Sequence, residues 1–403
     1  MKLWDKGYDI DGFTESFTIG KDRELDVMLA GADVIGNLAH LKMLHAVGLV
    51  NGEEYKSLQR ALVDIYGMVE RGEFVIEEGI EDVHSQIELL LVRECGDAGK
   101  KIHTGRSRND QVLLDLKLFT REAIFETLEH IERLFDLLIR RAEENKDVLI
   151  PGYTHLQVAM PSSFGLWFGA YAESLADDLL ALKAAYDMVN TNPLGSGAGY
   201  GVATTLGRLA ADVCLFACNN FGFVHLPDKY TTGSSIMPHK KNPDIFELIR
   251  AKCNHLQSLP MQMAMICTNL TSGYFRDMQL TKELFLPAFQ ELNDSLFMAH
   301  LVLQEMEVKR DVLCDSRYAY IFSVEDVNER VMAGIPFREA YREIGMQIQE
   351  GHYRDGLREI HHTHEGSMGT LCLPEIKDKF EQRVSGWDIT TVREAVENLL
   401  ENR

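Results

Sequence analysis

The sequence lacks the features that would assign the protein to a membrane, to a secretory route or to a nucleic acid. No apolar run approaches the roughly 18 residues of a membrane span. The N-terminal segment 1–6 becomes polar within a few residues, unlike a signal peptide. Lys and Arg number 41 against 62 Asp and Glu, and the net charge of −21 disfavours nucleic-acid and anionic-membrane partners, because both need a basic face. We expect a cytoplasmic protein.

Signatures of disulfides, metals and organic cofactors are also missing. The seven cysteines are scattered and odd in number, which fits a reducing cytosol better than a disulfide framework. The glycine-rich segment Gly195–Gly201 follows no strand pattern and lacks the dinucleotide-binding and nucleotide-loop spacings, so we interpret it as a tight turn between helices. No cysteine or carboxylate pattern supports His361–His364 as a metal site. We therefore expect no metal and no cofactor.

Strand patterns are almost absent, and helical patterns fill the chain. Residues 106–150 contain no glycine or proline, and their apolar residues recur at helical spacing. A single helix of ~40 residues would be ~60 Å long, which implies a long bundle. Pro260 and Pro287 should kink two later helices. The other helical stretches are 24–47, 52–71, 81–95, 163–190, 202–220, 244–266 and 275–306.

These patterns predict an all-α fold, a central long-helix bundle with smaller helical N- and C-terminal domains. We place the N-terminal helical domain at 1–105, the bundle at 106–310 and the C-terminal helical domain at 311–403. Some helices are apolar nearly all round, which suggests burial between subunits as well as within one. The methionines within 261–265 are expected to pack in the core.

The segment Gly233–Asp244 concentrates reactive side chains in one loop. It holds two serine hydroxyls, two adjacent lysines and a histidine. Asn242 is a suitable N-cap for the helix that follows, with Pro243 at its first position. A structural loop has no need of two adjacent lysines without acidic partners beside them. We interpret the segment as an anion-binding loop that carries a catalytic hydroxyl, and a solvated basic turn is the alternative.

Three further polar segments interrupt helical sequence. His103–Gln111 opens the helix over 106–150 and offers free backbone N–H groups and two arginines to a carboxylate, or it simply caps the helix. Gly152–Gln157 holds a histidine that can exchange protons near neutral pH, although a lone histidine is usually structural. In Tyr274–Lys282, Gln279 and Lys282 share a face if the segment is helical, and a solvated face is the alternative.

Taken together, these segments resemble a known superfamily. Gly233–Pro243 is similar to the signature of the aspartase/fumarase superfamily, whose enzymes eliminate fumarate from succinyl-type substrates. His103–Gln111 and Gly152–Gln157 narrow the resemblance to the argininosuccinate lyase family, because fumarases share only the second segment and adenylosuccinate lyases differ at both. The resemblance covers roughly residues 15–345. It implies a homotetramer in which four subunits share a bundle and each site draws on three of them.

The resemblance implies reversible cleavage of argininosuccinate into arginine and fumarate, a step of arginine biosynthesis that needs side chains alone. Removing the proton beside a carboxylate builds a dianionic aci-carboxylate, which Lys240 with Asn242 would stabilise. Ser234 would be the base and His155, or a water that it holds, the acid, and the sequence leaves the opposite assignment open. The other implied substrate contacts are Ser107, Arg108, Asn109, Thr154, Tyr274, Gln279, Lys282 and, more weakly, Thr18, for which Ser16 is a competing placement.

Two other functions are compatible with the same motifs. One is another fumarate-releasing lyase, such as adenylosuccinate lyase or fumarase. The other is an inactive structural homologue, since lens crystallins resemble this same family. The chain departs from the family pattern at its C-terminal end, where the domain is usually some tens of residues longer and the usual closing segment is not recognisable. We therefore expect a shortened C-terminal helical domain at 311–403.

Overall fold

The computed structural model describes residues 21–106, 108–154, 157–190, 200–233, 237, 239–270, 275–335, 337–353, 362–363 and 367–401. Helices dominate these residues, which confirms the predicted all-α class. The α-helices are α1 (Asp22–Asp26), α2 (Ala30–Ala46), α3 (Gly52–Glu70), α4 (Val83–Cys95), α5 (Arg108–Glu144), α6 (Phe164–Val189), α7 (Tyr200–Phe216), α8 (Asp244–Ile266), α9 (Thr281–Glu305), α10 (Ser323–Met332), α11 (Phe337–Gln349), α12 (Leu373–Val384) and α13 (Ile389–Glu401). Two antiparallel two-stranded sheets pair β1 (Leu149–Thr154) with β2 (Gln157–Ser163), as a hairpin, and β3 (Val224–His225) with the distant β4 (Glu307–Val308).

Helix α5 is the longest helix in the described part of the chain, and its 37 residues span about 55 Å. The helix predicted over 106–150 is confirmed as far as Glu144 but is too long. Asn145 Nδ2 donates to the Arg141 carbonyl at 2.9 Å, and β1 begins at Leu149. The short polar side chain of asparagine competes for backbone groups and therefore favours a helix end. The buried stripe of α5 is at most 2% exposed and includes Ile124, Leu128, Ile131, Phe135 and Leu138.

Helices α5 to α9 share one large hydrophobic core. Helix α6 packs on α5, α7 packs on α8, and α9 contacts both α5 and α8. Helices α5 and α9 run parallel: Thr127 Oγ1 donates to Asn293 Oδ1 at 2.9 Å, and further along Arg141 donates to the Met306 carbonyl. Helix α8 runs the other way: Lys229, which precedes it, pairs with Glu305 at the end of α9, and Lys252, further along α8, pairs with Glu291, earlier in α9. Both α8 and α9 continue past their internal prolines.

The bundle therefore has two ends with different contents. At the Arg108 end lie the starts of α5 and α9, together with the 3₁₀ turn Arg276–Leu280. At the hairpin end lie the β1–β2 hairpin, which follows α5, and the loop Gly233–Pro243, which precedes α8. Lys229 Nζ lies 2.7 Å from Glu305 Oε1 and ties the approach to that loop to the last turn of α9.

A smaller core is built by α2, α3 and α4. Asn51 caps α3 as predicted, because its Oδ1 accepts the Glu53 and Glu54 amides at 3.0 Å each, while Glu54 reaches back to the Asn51 amide. The helical run Arg23–Ala46 is long and apolar enough to cross a membrane by composition, but half of its most apolar window is buried inside the protein. It therefore serves as the central helix of this core.

The C-terminal helices pack onto both cores. In α12, the ring of Phe380 stacks on Phe135 of α5 with centroids 3.9 Å apart. Helix α13 lies along α2 and adds Val396 and Leu399 to the N-terminal core. Only α10 and α11 form a small separate cluster among the described residues. The predicted domain boundaries at 105 and 310 stay a prediction.

Two local predictions are wrong. Met261 and Met265 are 69% and 65% exposed in the single chain, so they do not pack in its core. Asn242 does not cap α8: Pro243 holds the N-cap position, and the Asn242 amide instead donates to the Thr232 carbonyl at 2.8 Å. A cross-loop bridge therefore uses the asparagine that the local pattern assigned to the helix.

Candidate active site

Arg108, in the first turn of α5, lies against the start of α4. Its Nη1 is 3.0 Å from Glu81 Oε2, its Nε is 2.9 Å from Asp82 Oδ2, and its Nη2 donates to Ser85 Oγ at 3.2 Å. Asp82 is also the N-cap of α4, where its Oδ1 accepts the Ser85 amide at 2.8 Å. The first turn of α4 therefore fixes the guanidinium of Arg108.

Glu81 joins two segments that are far apart in sequence. While one carboxylate oxygen pairs with Arg108, the other accepts Arg276 Nη2 at 2.9 Å. Arg276 Nε in turn donates to Gln279 Oε1 at 3.0 Å. A continuous polar chain thus links Arg108 to Gln279, two residues predicted to contact substrate. The Glu81 side chain is only 9% exposed, whereas that of Arg276 is 54% exposed and open to an approaching ligand.

Lys282 adds a buried ion pair at the same end. Its Nζ lies 2.6 Å from Asp26 Oδ1, and the two side chains are 9% and 1% exposed. A lysine held in this way supplies a fixed positive charge, but a substrate carboxylate has to share it with Asp26. Its position in the first turn of α9 places it next to the Arg276–Leu280 turn, on the side of Gln279.

The second arginine of the His103–Gln111 segment serves the fold. Arg106 Nη2 donates to Asn37 Oδ1 at 2.5 Å and to the Ile102 carbonyl at 2.8 Å. His103 is also engaged, because its Nδ1 lies 3.0 Å from Gln111 Oε1. Burial lowers the pKa of His103 below its ordinary value. Arg106 therefore stabilises the fold, and a substrate-carboxylate role for Arg108 stays a prediction.

The Gly233–Pro243 loop presents charge at the hairpin end. Lys240 is exposed, and no described residue forms an ion pair with it. Lys241, in contrast, pairs with Asp228, so the premise of two lysines without acidic partners holds for Lys240 alone. Asn242 and Thr232 exchange backbone hydrogen bonds at 2.8 and 3.3 Å and close the base of the loop.

The structure brings together only some of the predicted site residues. Arg108, Gln279 and Lys282 lie at the Arg108 end, and Lys240 and Asn242 lie at the hairpin end. Helix α8 separates these ends by about 35 Å over its 23 residues. The predicted residues outside the described part of the chain are Thr18, Ser107, His155, Ser234 and Tyr274. Asn109 and Thr154 lie in the first turn of α5 and at the end of β1, and their side chains also fall outside the description.

Sequence reasoning missed the residues that organise the Arg108 end. The sequence motifs assign no role to Glu81, Asp82 or Ser85. They assign none to Arg276 either, although it lies within the segment Tyr274–Lys282. The signal available was a pair of adjacent acids directly before a helix, which commonly reads as an N-cap alone. Their second task, holding Arg108, depends on contacts across more than twenty residues of sequence.

Known proteins similar to this chain are argininosuccinate lyases. A family described as lyase matches residues 11–203 and 200–257. Argininosuccinate lyase of Bacteroides fragilis is 53% identical over 443 residues, covering 99% of this chain and 99% of the relative. The enzyme of that name from Thermotoga neapolitana is 35% identical over 384 residues, covering 85% of this chain and 96% of the relative.

Solved structures with the same fold are far more distant in sequence. EDDS lyase in complex with formate superposes with a TM-score of 0.72 at 18% identity, covering 98% of this chain and 94% of that one. A fumarate lyase:delta crystallin from Brucella melitensis gives a TM-score of 0.69 at 16% identity, covering 85% and 94%. At such identities, the likeness concerns the fold.

The alignments also place a gap inside this chain. The 443 positions aligned to the Bacteroides fragilis protein exceed the 403 residues here, so part of that relative has no counterpart. The family match divides at residues 200–203, at the start of α7. Helix α7 has 17 residues, whereas the other four bundle helices have 23 to 37. A shortened C-terminal domain stays a prediction. By the extent of these matches, the chain belongs to the argininosuccinate lyase family of the aspartase/fumarase superfamily.

Proposed function

We propose that the protein catalyses the reversible elimination of fumarate from argininosuccinate to give arginine, a carbon–nitrogen lyase reaction. The observation that carries this proposal is the 50–53% identity to five argininosuccinate lyases over 99% of both chains. With this activity the protein would be an enzyme of arginine biosynthesis, and we propose that it acts in the cytoplasm.

The chemistry requires a base, an acid and a preplaced positive charge. The base Ser234 takes the proton from the carbon beside a carboxylate, and the electron pair enters the carboxylate as an aci-carboxylate dianion. Lys240 stabilises that dianion together with Asn242. The electron pair then forms the fumarate double bond as the C–N bond breaks, and His155, or a water it holds, protonates the leaving guanidino nitrogen. Cations in a water-excluded site lower the pKa of a serine hydroxyl and so enable it to act as a base.

The Arg108 end binds the substrate. Arg108, Gln279 and Lys282 are the described residues with this role at that end. The other proposed substrate contacts are Thr18, Ser107, Asn109, Tyr274 and Thr154, the last of which ends β1 at the hairpin end. Glu81 and Asp82 already pair with Arg108, and Asp26 pairs with Lys282. A substrate carboxylate therefore competes with protein carboxylates and binds only when its geometry is correct. This competition favours selectivity over raw affinity.

The complete site needs more than one subunit. In a single chain, the loop with Lys240 and the group around Arg108 lie at opposite ends of α8, about 35 Å apart. A homotetramer whose helices pack antiparallel across subunits would juxtapose opposite ends. Exposed apolar side chains on α8 support such packing: Leu248, Met261 and Met265 are 59%, 69% and 65% exposed.

The test is release of fumarate, followed by its ultraviolet absorbance. Purified protein is incubated separately with argininosuccinate, adenylosuccinate and malate. We expect fumarate from argininosuccinate alone. Release from adenylosuccinate or malate instead would assign a different lyase. A stable tetramer that releases no fumarate from any of the three would indicate a non-catalytic homologue.

A further inference from the structure

Three buried ionisable side chains meet beneath the Arg108 end, one from each of three helices. Asp33 of α2, His84 of α4 and Asp115 of α5 are 1%, 4% and 0% exposed. His84 Nδ1 lies 3.1 Å from Asp33 Oδ1 and 3.6 Å from Asp115 Oδ2. One atom from each group lies within 4.8 Å of the others. We call these three residues the buried triad.

The two carboxyl groups of the triad have different surroundings. Asp33 Oδ1 accepts Gln111 Nε2 at 3.4 Å and is the carboxylate oxygen nearer to His84, whose two ring nitrogens are buried without a well-aligned hydrogen-bond partner among the described residues. Both oxygens of Asp115 and the Oδ2 atom of Asp33 are buried without a hydrogen-bond partner among the described residues. Two buried carboxylates that share one imidazole cannot both stay ionised cheaply. A proton on Asp115 removes one of the two adjacent negative charges and gives the pair of carboxyl groups a hydrogen-bond donor.

The expected protonation states agree with this arrangement. Burial and the adjacent Asp33 carboxylate raise the pKa of Asp115 well above its ordinary value. Although burial acts against it, the Asp33 carboxylate raises the pKa of His84, and His84 in turn lowers the pKa of Asp33. The charged groups that also face the triad are Arg106, Asp26 and Asp82.

The triad is connected to Arg108 through α4 and α5, two of the three helices that contribute to it. His84 follows Glu81 and Asp82 and precedes Ser85, and those three residues hold the Arg108 guanidinium. Asp115 lies two turns after Arg108 on α5. A displacement between α4 and α5 would therefore move Arg108 relative to its acidic partners.

We propose that Asp33, ionised, and Asp115, protonated, hold His84 in a buried triad that positions Arg108 for substrate binding. The three are positioning residues, since none of them reaches the surface where substrate binds. The part of this inference that concerns substrate rests on the function proposed above. The protonation states of the three side chains are independent of that function.

The two aspartates give the sharpest test, because an Asp→Asn change mimics the protonated acid and not the ionised one. Asp115→Asn keeps a neutral group that can donate, so kcat/KM should stay within about threefold of the parent. Asp33→Asn leaves His84 without its counter-ion, so kcat/KM should fall by about tenfold or more, mainly through KM. Asp136→Asn, exposed on the same helix α5, is the matched control and should change neither.

A second readout does not depend on activity. At neutral pH, an infrared difference spectrum between the parent protein and Asp115→Asn should contain the carbonyl stretch of one protonated carboxylic acid. The Asp136→Asn difference should contain only carboxylate bands. Thermal unfolding should place Asp33→Asn clearly below the parent and Asp115→Asn close to it. If the parent releases no fumarate from argininosuccinate, the proposed function fails while these measurements still decide the protonation of the triad.

Three results would overturn the inference. An Asp115→Asn difference spectrum with carboxylate bands alone would show that Asp115 is ionised. Equal losses of stability and activity in both variants would remove the distinction between the two carboxyl groups. A divalent cation bound one per chain in the purified protein, and lost in Asp33→Asn, would make the triad a metal site.

Discussion

The two ends of the bundle are built from similar charged side chains but hold them differently. At the Arg108 end, the ion pair between Lys282 and Asp26 is 9% and 1% exposed, and Glu81 is 9% exposed between two arginines. At the hairpin end, the pair between Lys241 and Asp228 is 48% and 76% exposed, and Lys240 faces outward. The charged groups of the Arg108 end are paired and mostly buried within one chain, whereas those of the hairpin end are exposed at the surface. Under the proposed function, the Arg108 end is the binding half of the site, and contacts between subunits complete the half that carries the chemistry.

Ser234→Ala should have the largest effect, because it removes the proposed base. We expect kcat to fall by about 10²–10⁴-fold, while the fold and the assembly remain. Ser235→Ala, one residue further along the same loop, is the matched control and should retain most of the rate. Fumarate absorbance measures both. A Ser234→Ala variant with more than about a tenth of the parental rate would refute the assignment of the base.

Mixing inactive variants tests whether the two ends of different subunits meet. Arg108→Ala and Ser234→Ala, unfolded together and reassembled, should recover activity, because up to about a quarter of the sites in random tetramers draw on two unaltered segments. The control pairs Arg108→Ala with Gln279→Ala, two changes at the same end of the same chain. Glu81 and Arg276 link these residues within one subunit, so that mixture should recover nothing. Equal recovery in both mixtures, or in neither, would contradict shared sites.

Removing one lysine at each end compares their energetics. Lys282→Met leaves the Asp26 carboxylate buried and uncompensated, so the free energy of unfolding should fall by about 3–5 kcal/mol. Lys241→Met breaks an exposed pair and should leave the free energy of unfolding unchanged within error. Urea denaturation of both variants provides the measurement. Equal small losses would mean that the Arg108 end is more hydrated than its burial indicates.

The smallest expected effect is the pH dependence of stability that the Arg108 end contributes. The pKa of His84 is raised in the folded protein above its ordinary 6.5, so the native state keeps a proton that the unfolded chain releases. Since the native state then binds more protons, the free energy of unfolding should fall as pH rises through the folded pKa, by at most about 1.4 kcal/mol per pH unit. Asp115, whose pKa is also raised, acts in the same direction.

Urea denaturation over about pH 6 to 9 measures that slope. His84→Gln should flatten it, and His255→Gln, a change at an exposed histidine on α8, should not. A parental slope of the opposite sign would mean that His84 is neutral in the folded protein.

Much of the fold follows from short-range patterns. The absence of glycine and proline over 106–150 located α5, and Asn51 with its following acids located the start of α3. Patterns of this kind fail where a distant residue competes. Thr232 engages both the backbone and the side chain of Asn242, which therefore does not cap α8, and the β1–β2 hairpin follows where the last turns of α5 were predicted. The candidate site shows the same division, since motifs nominated Arg108 and Gln279, whereas Glu81 and Arg276, which connect them, were visible only in the structure.

The sequence by itself determined which stretches are helical and which segments are candidates for chemistry, because side-chain type and hydrophobic period are local properties. Only the tertiary structure decided which of those residues meet. It brought Arg108 to Gln279 through Glu81, buried Asp33, His84 and Asp115 together, and sent Lys240 to the opposite end of the bundle. The physical reason is that pairing and burial depend on how whole helices pack, and the direction in which α8 and α9 run is set by the core rather than by any one motif.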